Sequence, residues 1–194
     1  MTSKAREFIA KHPQFWDELD NEDVFNELRA LSEERGLDFD LPGELIEENN
    51  QTNSRLGQFF TPYTIVDFMV RSTLGSDNVE GLARRENRPI RVLDPAAGTG
   101  RFAIGAWKFF RDKDLTWEMT NIEIDPRLFE VLVFNMRIRG IPSLNILGDA
   151  LAIGVHEDAV KRAIQVHPDG STEEIDPKEV HEAFKDLIER NASA

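Results

Sequence analysis

The ten residues Leu93-Asp94-Pro95-Ala96-Ala97-Gly98-Thr99-Gly100-Arg101-Phe102 constrain this chain more than any other stretch. Before them, Pro89-Ile90-Arg91-Val92-Leu93 has the apolar content of a short buried strand; after them, Arg101 to Arg111 reads as a helix. Between the two lies a turn of small residues, Pro95 to Gly100. Glycines at 98 and 100 permit positive φ and leave no Cβ to hold a ligand away from the backbone. Strand, glycine turn and helix in immediate succession form a cradle in which a nucleotide-like ligand touches bare backbone. Many α/β proteins carry such a turn, so its meaning depends on its company.

The company is Leu56-Gly57-Gln58-Phe59-Phe60-Thr61-Pro62-Tyr63-Thr64 upstream, and Asn121-Ile122-Glu123-Ile124-Asp125-Pro126 and Ile146-Leu147-Gly148-Asp149-Ala150 downstream. In this order the four segments resemble the S-adenosyl-L-methionine (SAM) half of the adenine-N6 DNA methyltransferases, especially type I modification subunits and related restriction–modification enzymes. The resemblance covers roughly residues 41–151, because Leu41-Pro42-Gly43-Glu44-Leu45-Ile46-Glu47-Glu48 is similar to the family's lead-in helix, with Ile46 where an aromatic is usual. LGQFFTP is the most specific of the segments and the glycine turn the least.

Each segment also has a physical reading of its own. Asp94 closes a strand and can accept from the first amides of the turn or from a ligand amino group. Glu123 ends a second strand, where an acidic side chain can take both ribose hydroxyls, as in dinucleotide folds. Asp149 ends a third and can accept from an exocyclic amine. Thr61 precedes Pro62, a good first helical residue, and so reads as an N-cap; free amides behind it suit a carboxylate. The resemblance implies SAM as cofactor, with Thr61 at its carboxylate, Asp94, Ala96, Gly98 and Gly100 around its methionine end, Glu123 at the ribose and Asp149 at the adenine. The plainer alternatives are a helix cap for Thr61, a solvated strand end for Glu123 or Asp125, and an ordinary turn for Asp149. A dinucleotide oxidoreductase is the rival for the turn itself. Its fingerprint wants a third glycine, where Ala103 is a permitted substitute, but LGQFFTP has no place in it.

What the resemblance requires next is missing. An enzyme methylating the adenine amine needs a loop of the type Asn/Asp-Pro-Pro-Tyr/Phe, whose polar groups hold the amine near the sulfonium while the aromatic stacks on an extruded base. The nine prolines include no adjacent pair, no asparagine precedes a proline, and the one tyrosine is Tyr63. Asp-Pro occurs at Asp94-Pro95 and Asp125-Pro126, inside cofactor motifs, and at Asp176-Pro177, which reads as a helix start. No catalytic residue is therefore assigned. A target-recognition domain is not visible after Asp149 either.

The remaining segments are read as flanks. Residues 1–54 form an N-terminal helical segment, with Phe8, Ile9, Phe15, Trp16, Leu19, Val24, Phe25, Leu28 and Leu31 at helical steps and Gly36 as a stop; core packing is the expected use of this face. Residues 55–151 form the SAM-binding core. Residues 152–194 read as a helix (157–163), a hairpin turning through Pro168-Asp169-Gly170, and a closing helix from Pro177 with Val180, Phe184, Leu187 and Ile188 on one face. Phe134, Ile138 and Trp107 read as helix-to-sheet packing.

Net charge is −13, whereas a protein that grips phosphate unaided normally shows a basic face. Arg84, Arg85, Arg88 and Arg91 are the main basic cluster, read as solvated in preference to DNA contact. There is no cysteine, no long apolar run and no signal-peptide pattern, which suits a soluble cytoplasmic protein. His156, His167 and His181 match no ligand spacing, and no metal is expected.

These readings combine into an α/β, Rossmann-like methyltransferase fold with a partial sheet. Strands near 90–94, 118–123 and 144–147 run parallel in spatial order 3-2-1, joined by helices 101–111 and 126–139 through right-handed crossovers. The first strand then lies at an edge, covered either by the tail hairpin or by another polypeptide. The leading functional reading is the SAM-binding part of an adenine-specific DNA methyltransferase-family protein. A second subunit would bring the catalytic loop and target recognition, so DNA contact by this chain alone would be indirect or weak. The alternative is a non-catalytic SAM-binding or regulatory module, or a truncated remnant.

Overall fold

A computed structural model of the chain describes residues 2–49, 51, 60–75, 79, 81, 84, 89–113 and 115–192. It is a mixed α/β structure built on one five-stranded sheet. The strands are β1 (Ile90–Asp94), β2 (Trp117–Glu123), β3 (Ser143–Gly148), β4 (Val160–Val166) and β5 (Thr172–Ile175). They lie side by side in chain order. β1, β2 and β3 are parallel, with Ile90 opposite Trp117 and Met119 opposite Ser143. β4 and β5 then add to β3 antiparallel, Ser143 opposite Val166 and Val166 opposite Thr172.

Among the described residues the helices are α1 (Ser3–Lys11), α2 (Glu22–Arg35), α3 (Leu41–Glu48), α4 (Tyr63–Leu74), α5 (Arg101–Phe110), α6 (Pro126–Arg139) and α7 (Pro177–Ala192), with short 3₁₀ turns at Phe15–Glu18 and Glu157–Ala159. No helix among the described residues is long and apolar enough to cross a membrane.

Period-two alternation divides the sheet residues between two faces. On one face Ile90, Val92, Met119, Ile164 and Val166 form a core with Ala103, Ala106 and Phe110 of α5 and Phe129, Leu132, Val133 and Met136 of α6, with α4 adding Val66, Val70 and Leu74. α6 is apolar on its far side too. There Leu128, Val131 and Phe134 meet the N-terminal helices through Phe8, Phe15, Leu28, Leu45 and Ile46. A helix buried all round needs apolar residues all round, which is why Phe134 and Ile138, expected against the sheet, face α1–α3 instead. Trp107 packs on the sheet-side core as expected.

The opposite face is covered less completely. Val180 and Phe184 of α7, with Ile153, pack on Ile122, Ile146 and Ala163. The cover does not extend to β1, where Leu93 is 55% exposed. Leu187 and Ile188, expected on the packed face of the closing helix, are also exposed, although Ile188 Cδ1 lies beside Gly154.

Two expectations about the tail need correction. Residues 157–163 are not a helix: a 3₁₀ turn ends at Ala159, and Val160 opens β4, whose ladder with β3 outweighs local helical preference. The hairpin forms about Pro168-Asp169-Gly170, with His167 N–H donating to the Ser171 carbonyl at 3.0 Å. It extends the sheet beyond β3, however, and not beside β1. Among the described residues no strand pairs with the outer edge of β1.

Candidate cofactor site

The site lies at the carboxyl ends of the three parallel strands, where β1, β2 and β3 deliver Asp94, Glu123 and Asp149. After β1 the chain enters the glycine turn. Asp94 Oδ1 accepts from the Ala96 amide at 3.2 Å. The Ala97 amide donates to the Ile122 carbonyl at 3.0 Å, tying the turn to the end of β2. Burial pushes the Asp94 carboxyl above its ordinary range, partly offset by the Ala96 amide.

The two glycines are needed for different reasons. Gly100 has φ +90 and opens α5; a Cβ there would lie 2.8 Å from Leu132 Cδ1 and 2.9 Å from Met136 Cε, so the turn can approach α6 only without a side chain. Gly98 has φ +56, yet a Cβ there would meet no atom of the described residues within 4 Å. The space beside Gly98 is open.

Glu123 is 7% exposed, and among the described residues its carboxylate is held by backbone alone. Oε2 accepts from the Gly98 amide at 2.7 Å; Oε1 accepts from the amides of Ile124 at 2.9 Å and Asp125 at 2.8 Å. Burial raises its pKa, and these three donors only partly oppose the shift. Asp125, the nearby acid, is committed elsewhere: it caps α6 through the Arg127 amide and pairs with the Arg127 guanidinium at 2.8 Å.

Two cavities lie near Glu123, which lines neither: Gly98, whose amide it accepts from, borders one and Ile124 borders the other. One of about 260 Å³ lies between Phe60, Thr61 and Met69 on one side and Asp94, Ala96 and Gly98 on the other. The second, about 490 Å³, is bordered by Ile124, Pro126, Leu147, Asp149, His156 and Lys161. A larger cavity of about 700 Å³ among α1–α3, with Glu34, Glu44 and Glu48 on its wall, lies away from the strand ends.

Thr61 borders the smaller cavity but does not cap α4. The carbonyl of Pro62 accepts from Ile65 and Val66, so Pro62 is the capping residue and the helix starts at Tyr63. The Thr61 carbonyl accepts from Arg101 Nη1 at 3.3 Å. Asp149 is exposed and accepts from the Leu151 amide at 2.9 Å, a turn-forming bond that leaves the rest of its carboxylate at the cavity edge. The structure thus brings Thr61, Asp94, Ala96 and Gly98 around one cavity and Asp149 to the other, with Glu123 lining neither and Gly100 behind the turn. Leu56 to Phe59 of LGQFFTP, like Arg85 and Arg88 of the arginine cluster, lie outside the described residues. Among the described residues no group of His, Asp and Glu could hold a metal.

A buried polar cluster behind the turn was not visible in the sequence. Asp40, fully buried, accepts from the Gly43 amide at 3.0 Å, from Asn135 Nδ2 at 2.8 Å, from Arg101 Nε at 3.1 Å and from the Thr99 hydroxyl. Arg139 joins through Asn135 Oδ1 at 2.8 Å and the carbonyls of Leu37 and Phe39. The one available signal was Asp40 as N-cap before Leu41-Pro42, a local motif.

The N-6 DNA Methylase family matches residues 43–167, more than half of the chain and all of β1 to β4. The chain belongs to the N-6 DNA methylase family, whose members generally use S-adenosyl-L-methionine. No curated protein and no solved structure matched it.

Proposed function

We propose that this chain is the SAM-binding part of an adenine-N6 DNA methyltransferase, with a Rossmann-like cofactor fold. The observation that carries the reading is the position of Glu123. Its partner Gly98 borders the glycine-turn cavity and its neighbour Ile124 the Ile124–Asp149 cavity, and among the described residues its oxygens are held by amides alone, which ribose hydroxyls can join or replace. The adenosine would lie with its ribose on Glu123, its base between Ile124 and Asp149, and its methionine end toward Thr61, Asp94 and the amides of the glycine turn. A carboxylate is suited to a diol because it only accepts, whereas each hydroxyl can donate.

Calorimetric titration of SAM tests this, with E123A and D149A as controls. Binding that both substitutions weaken supports the site. A folded wild-type chain that binds no SAM breaks it.

Transfer to DNA needs more than these residues supply, since the sequence holds no Pro-Pro-aromatic loop. A second subunit would bring that loop and the target-reading surface, as in a restriction–modification enzyme, so that the adenine amine attacks the sulfonium methyl directly. The surface for it is the β1 side. There Ile90 donates its amide toward β2, so period two turns the backbone groups of Arg91 and Leu93 outward. Leu93 of β1, 55% exposed, supplies apolar area at that edge. The purified chain alone is expected to transfer no labelled methyl group to DNA. Turnover by the isolated chain would overturn the two-subunit reading.

A further inference from the structure

The guanidinium of Arg101 is engaged before any ligand arrives. Nε donates to Asp40 at 3.1 Å, Nη2 to Glu47 at 2.7 Å and Nη1 to the Thr61 carbonyl at 3.3 Å. Its central carbon lies 4.7 Å from the centre of the Phe60 ring and 5.0 Å from that of Tyr63. Arg101 follows the glycine turn directly, and Asp40 reaches into the turn through the Thr99 hydroxyl. One buried pair therefore fastens three pieces together: the lead-in helix α3, residues 60–63 on one wall of the smaller cavity, and the glycine turn on the other.

A buried ion pair is weak evidence for stability, because desolvation offsets much of the Coulombic gain. Its geometry is more telling. A planar guanidinium fixes the directions of three acceptors at once, which a lysine ammonium cannot do. Asp40 is fully buried, whereas Arg101 lies on the wall of the smaller cavity with its guanidinium already committed to Asp40, Glu47 and the Thr61 carbonyl. We propose that Arg101 and Asp40 are positioning residues that set the cleft between residues 60–63 and the glycine turn, and thereby tune the site for the amino-acid end of the cofactor. The inference rests on the SAM-binding function proposed above.

Calorimetry on the full chain tests it with two ligands: SAM, and 5′-deoxy-5′-methylthioadenosine, which keeps adenine, ribose and sulfur but lacks the amino-acid end. R101K and D40N are each expected to weaken SAM about tenfold or more, while methylthioadenosine stays within about threefold of wild type. The double substitution should lose little beyond either single one, because both break the same device. E47Q alters the half-exposed partner and should give a smaller loss in the same direction, which keeps the test open if D40N does not fold. Equal loss for both ligands would reduce the pair to general structural support and overturn the proposal. So would a SAM loss confined to R101K, with D40N and E47Q binding as wild type, since Arg101 would then be a direct ligand. A wild-type chain that binds neither ligand overturns the cofactor reading itself, and is recognised before any variant is made.

Discussion

Asp40 and Glu123 are both buried carboxylates close to the glycine turn, and they are satisfied in opposite ways. Asp40 accepts from a backbone amide, a hydroxyl, a side-chain amide and a guanidinium, in a region sealed between α3, α5 and α6. Glu123 accepts from three amides, has no cation within ion-pairing distance among the described residues, and lies beside Gly98 and Ile124, which each border a cavity. A charge neutralised by fixed side chains serves architecture, because removing it strands its partners. A charge held by backbone donors at a cavity stays available to a ligand, and its raised pKa records the incomplete compensation.

The largest effect should therefore come from the sealed region. D40A leaves Arg101 without one of its two carboxylates, and one N–H of Asn135 and the Thr99 hydroxyl without their acceptor, and is expected to destabilise the fold by about 3–5 kcal/mol in denaturant unfolding. E123A should change stability by only about 1 kcal/mol, since water entering from the cavities can accept from the freed amides. Its effect belongs to binding. Loss of a charged acceptor for the ribose is expected to weaken SAM about 10- to 100-fold. If E123A unfolds the chain and D40A merely loosens ligand, the comparison is wrong.

The two glycines sharpen the same contrast. G100A places a Cβ against Leu132 and Met136 at φ +90 and should cost about 2 kcal/mol or more, read as a lower midpoint of unfolding. G98A meets no atom of the described residues, so only its positive φ opposes it, at about 1 kcal/mol. Any further penalty of G98A must appear in SAM affinity, because the added methyl faces the open space beside the turn. Equal stability losses with no binding change in G98A would remove the turn from the ligand site.

Local patterns carried most of the parallel core into the sequence reading. Ile90–Asp94 and the helices at 101–110 and 126–139 are short-range signals, each bounded by a turn residue or a cap, and they fall where expected. So does the parallel order of the first three strands. What failed depended on distant partners. Residues 157–163 look helical until β3 offers a ladder; Thr61 is the local exception, displaced as cap by the adjacent Pro62 carbonyl. The Asp40 cluster joins residues as far apart as 102 positions, and no local period encodes such a meeting. The candidate site was more legible than its support, because strand ends and glycine turns are local and the packing behind them is not.

Asp94 gives the smallest effect and the most direct test of how the site is charged. Its pKa is raised because burial outweighs the one amide it accepts from. A carboxyl that binds its proton more tightly folded than unfolded lowers stability at every pH above the folded pKa. That deficit disappears as the pH falls through the folded pKa toward the unfolded value, about 3.9. D94N keeps an acceptor for the Ala96 amide and removes the charge. At neutral pH it should be more stable than wild type by about 0.5–1 kcal/mol, or about 1–4 °C in midpoint. The gap should close on acidification as wild type takes up its proton. A pH-independent gap would assign the gain to packing and leave Asp94 an ordinary turn residue. A closing gap, together with weaker SAM binding by D94N, would show that the strand end holds its charge at the expense of the fold.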